Sequence, residues 1–129
     1  MKIEHIGLAV PAAHAMADWY VRNLGFQIRF SGGSEQDGVA FISDPDQDVM
    51  LELFSNPRVP LLDWSGLTPL TLHIALRSEN PIADSTRLEK AGAAFVERNG
   101  RTPNPGDILI LMRDPWGNVI QLARREKEL

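Results

Sequence analysis

Residues 71–78 read TLHIALRS, and residues 3–10 read IEHIGLAV. In both phrases a histidine sits within the two-residue alternation of a β-strand. Ile6, Leu8 and Val10 point to one side of the first strand, while Ile3, His5, Gly7 and Ala9 point to the other. In the second, Leu72, Ile74 and Leu76 lie opposite His73. A lone histidine in such a place is ordinarily hydrogen-bonded or turned to solvent. Written twice, the phrase asks for a common cause, and an internal repeat is the first thing to trace.

The segments after the two phrases match as well. Pro11 ends the first strand and is expected as the first helical residue, where its missing N–H costs nothing. Met16, Trp19 or Tyr20, and Leu24 recur at helical spacing, and Gly25 stands where a helix end favours positive φ. In the second copy, Asn80-Pro81 supplies an N-cap and a first helical position. A helix through Ile82, Leu88 and Ala91 then runs to Gly92. Gly25 comes twenty positions after His5, and Gly92 nineteen after His73. Strands are then expected at 26–30, 39–43 and 49–54 in the first half and at 94–97, 108–112 and 119–123 in the second. The turns between them are SGGSEQDG, DPDQD, residues 101–106 and residues 114–118. Each half reads β-α-β-β-β. The expectation is a single α+β domain over 1–129: module 1 over about 1–55, a proline-rich linker over about 56–69, and module 2 over about 70–125. Trp64, in the linker, either caps a pocket or packs on the core.

The last strand of each half also carries one polar side chain among aliphatic ones. Glu52 lies in VMLELF between Leu51 and Leu53, and Gln121 lies in NVIQLA between Ile120 and Leu122. Glu52 on a sheet's wet face would be unremarkable, and Gln121 alone would say nothing. Taken together, His5, Glu52, His73 and Gln121 occupy corresponding places in the two halves, with aliphatic neighbours facing the other way. A carboxylate on an enclosed face costs several kcal/mol, of the order of a buried ion, unless compensated. Two imidazoles, a carboxylate and an amide oxygen together suit a divalent cation.

The remaining residues set bounds. The chain has 129 residues and a formal charge of −4, with no cationic face for nucleic acid. The basic tail Arg124-Arg125 and Lys127 alternates with Glu126 and Glu128 and reads as a solvated end. There is no cysteine, which excludes disulfides and thiolate-held metals. Met1-Lys2 leads straight into a strand without a secretory pattern, and no apolar run is long enough to span a bilayer. A cytoplasmic protein without membrane or nucleic-acid partners is expected. His14 is expected at the surface. The acidic turn Asp44, Asp46 and Asp48 lacks the glycine and terminal glutamate of a calcium loop. Residues 114–118, DPWGN, read as a turn with Trp116 bordering the site. Arg22, Arg29, Arg101 and Arg113 are candidates to hold an anionic substrate tail, though arginines at strand ends are usually surface residues.

The doubled unit, with IEHIGLAV, ADWYVRNLGFQ, VMLELF, LTLHIAL and DPWGNVIQLA, resembles the vicinal oxygen chelate superfamily. That group includes glyoxalase I, methylmalonyl-CoA epimerase, and fosfomycin- and bleomycin-resistance proteins, together with extradiol dioxygenases. The resemblance covers essentially the whole chain. It implies two tandem βαβββ modules forming an incomplete barrel around a metal site, with His5, Glu52, His73 and Gln121 as ligands of one divalent ion (Zn, Ni, Co, Mn or Fe). It further implies a homodimer, a small-molecule substrate, and glutathione or another thiol as a cofactor of some members. The chain departs from the family at the last ligand. A glutamate there often acts as base, but Gln121 cannot accept a proton, so Glu52 would take the role. The implied function is a glyoxalase I-like lyase or isomerase that enolises an alpha-keto or hemithioacetal-like substrate. The alternatives are an extradiol-type iron dioxygenase and a non-catalytic, bleomycin-resistance-like binding dimer.

Overall fold

The computed structural model describes residues 1–46, 49–99 and 104–127. The chain divides into two compact units, Met1–Leu62 and Asp63–Leu129. In the first, β1 (His5–Ala9), α1 (Ala13–Leu24), β2 (Gln27–Gly33), β3 (Gly38–Ser43) and β4 (Met50–Phe54) succeed one another. In the second, β5 (Ile74–Arg77), α2 (Pro81–Lys90), β6 (Ala94–Arg98), β7 (Ile108–Arg113) and β8 (Val119–Arg124) repeat that order. Each unit forms one four-stranded mixed sheet, β1-β4-β3-β2 and β5-β8-β7-β6. The first strand of each unit pairs in parallel with the last, and all other pairs are antiparallel. The duplicated β-α-β-β-β pattern read from the sequence is the observed one.

The helices begin and end for different reasons. α1 has no side-chain cap. Its N-cap is Ala12, so Pro11 lies outside the helix rather than at its first position. The expectation failed because the chain still needs two residues after the strand to turn. The Ala13 N–H is satisfied instead by Ser55 Oγ at 2.9 Å. Gly25 ends α1 at φ 75°, its N–H bonded to the Tyr20 carbonyl. A Cβ at Gly25 would meet nothing within 4 Å, so the conformation alone demands glycine. Gly25→Ala is expected to lower stability by about 1 kcal/mol in urea unfolding, without a change in the sheet signals of a spectrum.

α2 is capped as its sequence predicts, with Asn80 Oδ1 accepting from the Ala83 N–H and Pro81 opening the helix. Within its first turn, Asp84 accepts from Ser78 Oγ at 2.6 Å and from Arg87 at 3.0 Å. Partial burial works to raise the Asp84 carboxyl, but the bonds from Ser78 and Arg87 outweigh it, and its pKa lies below 3.8. The depressed folded-state value stabilises the fold above pH 3.8, and that contribution is lost as pH falls through it. Ser78→Ala is therefore expected to cost about 1 kcal/mol at neutral pH. Paired urea titrations should show the difference from wild type shrinking well below pH 3.8.

In each unit the helix covers one face of its sheet. α1 packs on β2, β3 and β4, over Ala40, Ile42, Leu51 and Leu53, all buried. α2 packs on β6, β7 and β8, over Ile110, Met112, Ile120 and Leu122. Both sheets carry a one-residue irregularity in corresponding strands, between Ile28 and Phe30 in β2 and between Phe95 and Glu97 in β6. β5 begins at Ile74, so His73 stands just before the strand and not in its middle. Residues 68–71 are drawn into a turn instead, with the Thr71 N–H on the Thr68 carbonyl.

Candidate functional site

β1 and β4 lie side by side with Gly7 opposite Glu52. His5, two residues before Gly7, shares its face, and that face is the one α1 leaves uncovered. There His5 Nε2 stands 3.5 Å from Glu52 Oε2, both side chains partly open to solvent. Gly7 makes room for the carboxylate, since a Cβ there would lie 3.1 Å from Glu52 Oε2. The other ring nitrogen, Nδ1, is bonded to the Glu4 carboxylate. That hydrogen bond is the main cause raising the His5 pKa above 6.5, against a smaller lowering by desolvation, with the charges of Glu4 and Glu52 adding to it. When Nδ1–H donates to Glu4, the Nε2 lone pair faces another acceptor. A positive charge on Nε2, either a proton or a metal ion, relieves that opposition.

The second unit repeats the register. Ala75 lies opposite Gln121, and His73 precedes Ala75 by two, as His5 precedes Gly7. Gln121 is 8% exposed, between fully packed Ile120 and Leu122. His73 Nδ1 is buried and has no hydrogen-bond partner among the described residues. Buried polar atoms are nearly always partnered, and His73 Nδ1 and Ser43 Oγ are the exceptions among the described residues. The structure thus brings His5 and Glu52 into reach and sets His73 and Gln121 at matching positions of the second unit. Among the described residues, no group of three or more His, Cys, Asp or Glu is gathered as for a metal ion.

Other residues singled out by the sequence have structural partners. Arg113 donates to the carbonyls of Gly117 and Leu67, Arg22 to that of Asp18, and Arg29 to Gln27 Oε1. Arg101 and Asp48 lie outside the described residues. His14 is half-buried at the surface, with Nε2 2.9 Å from the Gly32 carbonyl oxygen. Arg125, expected in a solvated tail, pairs at 2.8 Å with the wholly buried Asp107. Trp64 packs beside Gly117 within its own unit.

Three side chains of the site escaped the sequence reading. Glu4 is one, hidden by its place before a histidine already accounted for. Phe41 and Phe30 are the others. Phe41 lies opposite Glu52, and Phe30 lies opposite Phe41. The alternation in GVAFIS was available as a signal for Phe41, but the row becomes visible only once the register is known.

A family model, Glyoxalase/Bleomycin resistance protein/Dioxygenase superfamily, matches residues 2–122. No curated protein matches the chain. Among solved structures, an antibiotic binding protein, TnmS3, from Streptomyces sp. CB03234 is 24% identical, with 95% of this chain and 93% of that one covered at a TM-score of 0.65. A glyoxalase family protein from Enterococcus faecalis is 20% identical over 95% of this chain and 97% of its own, at a TM-score of 0.71. A glyoxalase family protein from Bacillus cereus is 17% identical over 95% and 91%, also at 0.71.

Proposed function

The chain belongs to the Glyoxalase/Bleomycin resistance protein/Dioxygenase superfamily, and on that footing we propose a metal-dependent lyase or isomerase of the glyoxalase I type. Its substrate would be a small molecule with vicinal oxygens, an alpha-keto or hemithioacetal-like compound, with glutathione or another thiol supplied where the substrate is a thiol adduct. His5 and Glu52 of one unit and His73 and Gln121 of the other are the proposed donors. They come from a single chain or from two copies in a homodimer.

The observation that carries this reading is the His5–Glu52 pair at 3.5 Å on the helix-free face. Its counterpart in the second unit carries the orphaned His73 nitrogen. The donor types fit a divalent ion: two imidazoles, one carboxylate, one amide oxygen. Such an ion would polarise a carbonyl oxygen and acidify the adjacent C–H. Glu4 holds His5 through Nδ1 and leaves Nε2 free to ligate. Glu52 takes the proton from the acidified carbon and returns it to the neighbouring one, because Gln121 binds through oxygen but cannot hold that proton.

Protein purified without chelators is expected to carry about one metal ion per donor set, a count that comes from four-coordinate sites. His5→Ala and His73→Ala should each deplete it, measured by elemental analysis alongside turnover of the methylglyoxal–glutathione adduct. Undiminished metal content in either variant would remove that residue from the set. A binding protein without catalysis is the second reading, favoured by the exposed Phe30, which Phe41 separates from the pair. It predicts ligand affinity indifferent to Glu52 and no turnover.

A further inference from the structure

Register brings Gly7, Glu52, Phe41 and Phe30 into one row across the first sheet. Beside that row, from His5 outward, the rings approach one another in sequence. His5 and Phe41 meet edge to face with centroids 5.4 Å apart, and Phe41 meets Phe30 at 6.3 Å. Phe30 remains 56% exposed. Its ring folds back over Gly32, where a Cβ would stand 3.1 Å from the ring tip. A side chain at Gly32 would push the ring tip aside by a few tenths of an ångström. The ring is therefore an oriented apolar surface, open to solvent, one residue away from the His5–Glu52 pair.

The second unit shows that the fold does not need this surface. Its equivalent row is Ala75, Gln121, Leu111 and Glu97. Where the first unit places Phe41, the second places a buried leucine, and where the first places Phe30, the second places an exposed glutamate. The same scaffold thus folds with a charged residue at the outer position. The linked rings of Phe41 and Phe30 are thus particular to the first unit, where they offer flat apolar surface next to the candidate ligands.

We infer that Phe41 and Phe30 form the specificity wall of the site and select substrates carrying a planar, apolar group, such as a phenyl ring, next to the vicinal oxygens. This deepens the proposed function by naming a substrate class, and it rests on the first unit's helix-free face being the small-molecule site. The edge-to-face contact of Phe41 with His5 ties the wall to the oxygen-binding end, so one ligand spans both. Offset or edge-on contact with two rings favours an aromatic group over a methyl group of the same compound.

Mandelate and lactate test this, because they share the same pair of oxygens and differ in phenyl against methyl. Calorimetry on the full-length protein, with and without added zinc, gives both affinities. Wild type is expected to bind mandelate about tenfold more tightly than lactate, a ratio set by aromatic contact and buried area. Phe30→Ala and Phe41→Leu, the second copying Leu111, should each reduce that ratio to below about threefold, chiefly through weaker mandelate binding. A wild-type ratio near one, or a ratio that survives both substitutions, overturns the inference. The metal reading fails separately, if neither acid's affinity responds to zinc, and the phenyl preference is still read from the zinc-free titration.

Discussion

Glu52→Gln is expected to retain a bound divalent ion at saturating metal while kcat falls about a thousandfold, the middle of the range for loss of a positioned general base. The amide keeps an oxygen for the ion and fits the space left by Gly7, where the carboxylate oxygen now lies 3.1 Å from a hypothetical Cβ. What it loses is the capacity to hold a proton. Solvent deuterium exchange into substrate should fall in step with kcat, because both depend on the same transfer. Exchange at the wild-type rate would show that another group moves the proton. The variant would then resemble Gln121 on both sides of the repeat, with two amides and no base.

Asp114→Ala is expected to be the most damaging single substitution outside the site, costing about 2–4 kcal/mol, as for stripping an ionised acceptor from several donors. Asp114 is 3% exposed and heads the turn that feeds β8. Its Oδ1 accepts from the backbone N–H groups of Trp116 and Asn118, each at 2.9 Å, and its Oδ2 accepts from Asn118 Nδ2 at 2.8 Å. Alanine strands those donors. Asn118→Ala removes only the side-chain bond to that carboxylate and should cost less, about 1.5 kcal/mol, the low end for a bond to a charged group. Urea midpoints measured side by side decide it, and equal losses would mean that the turn is held by its backbone alone. Because β8 carries Gln121, metal affinity should weaken along with stability.

Much of the fold was legible in the sequence. Two histidine phrases, two glycines after helices and two polar interruptions of final strands revealed the repeat, because side-chain alternation and helix caps are local. His5 and Glu52 were found the same way and do meet. Elements that depend on longer-range choices were less legible. Pro11 looked like a helix start, yet the chain turned first. His73 looked mid-strand, yet β5 opens one residue later, because the turn at Thr68–Thr71 claims the preceding backbone. Arg125 looked solvated until a buried Asp107 became its partner across eighteen residues. Phe30 was the least legible, since a strand's alternation predicts faces only while the pairing stays in step.

The displaced step in β2 has a matching one in β6, twenty-four positions after His5 and twenty-three after His73. An unbroken ladder would have set Arg29 against Phe41 and Val96 against Leu111. The supernumerary residue shifts both rows by one. The same irregularity at corresponding places in both units is what descent from one half-length sequence already carrying it would leave. The two units differ at the slot it opens, one presenting a ring at Phe30 and the other an acid at Glu97, so the outer edge of each sheet offers a different chemistry on the same backbone.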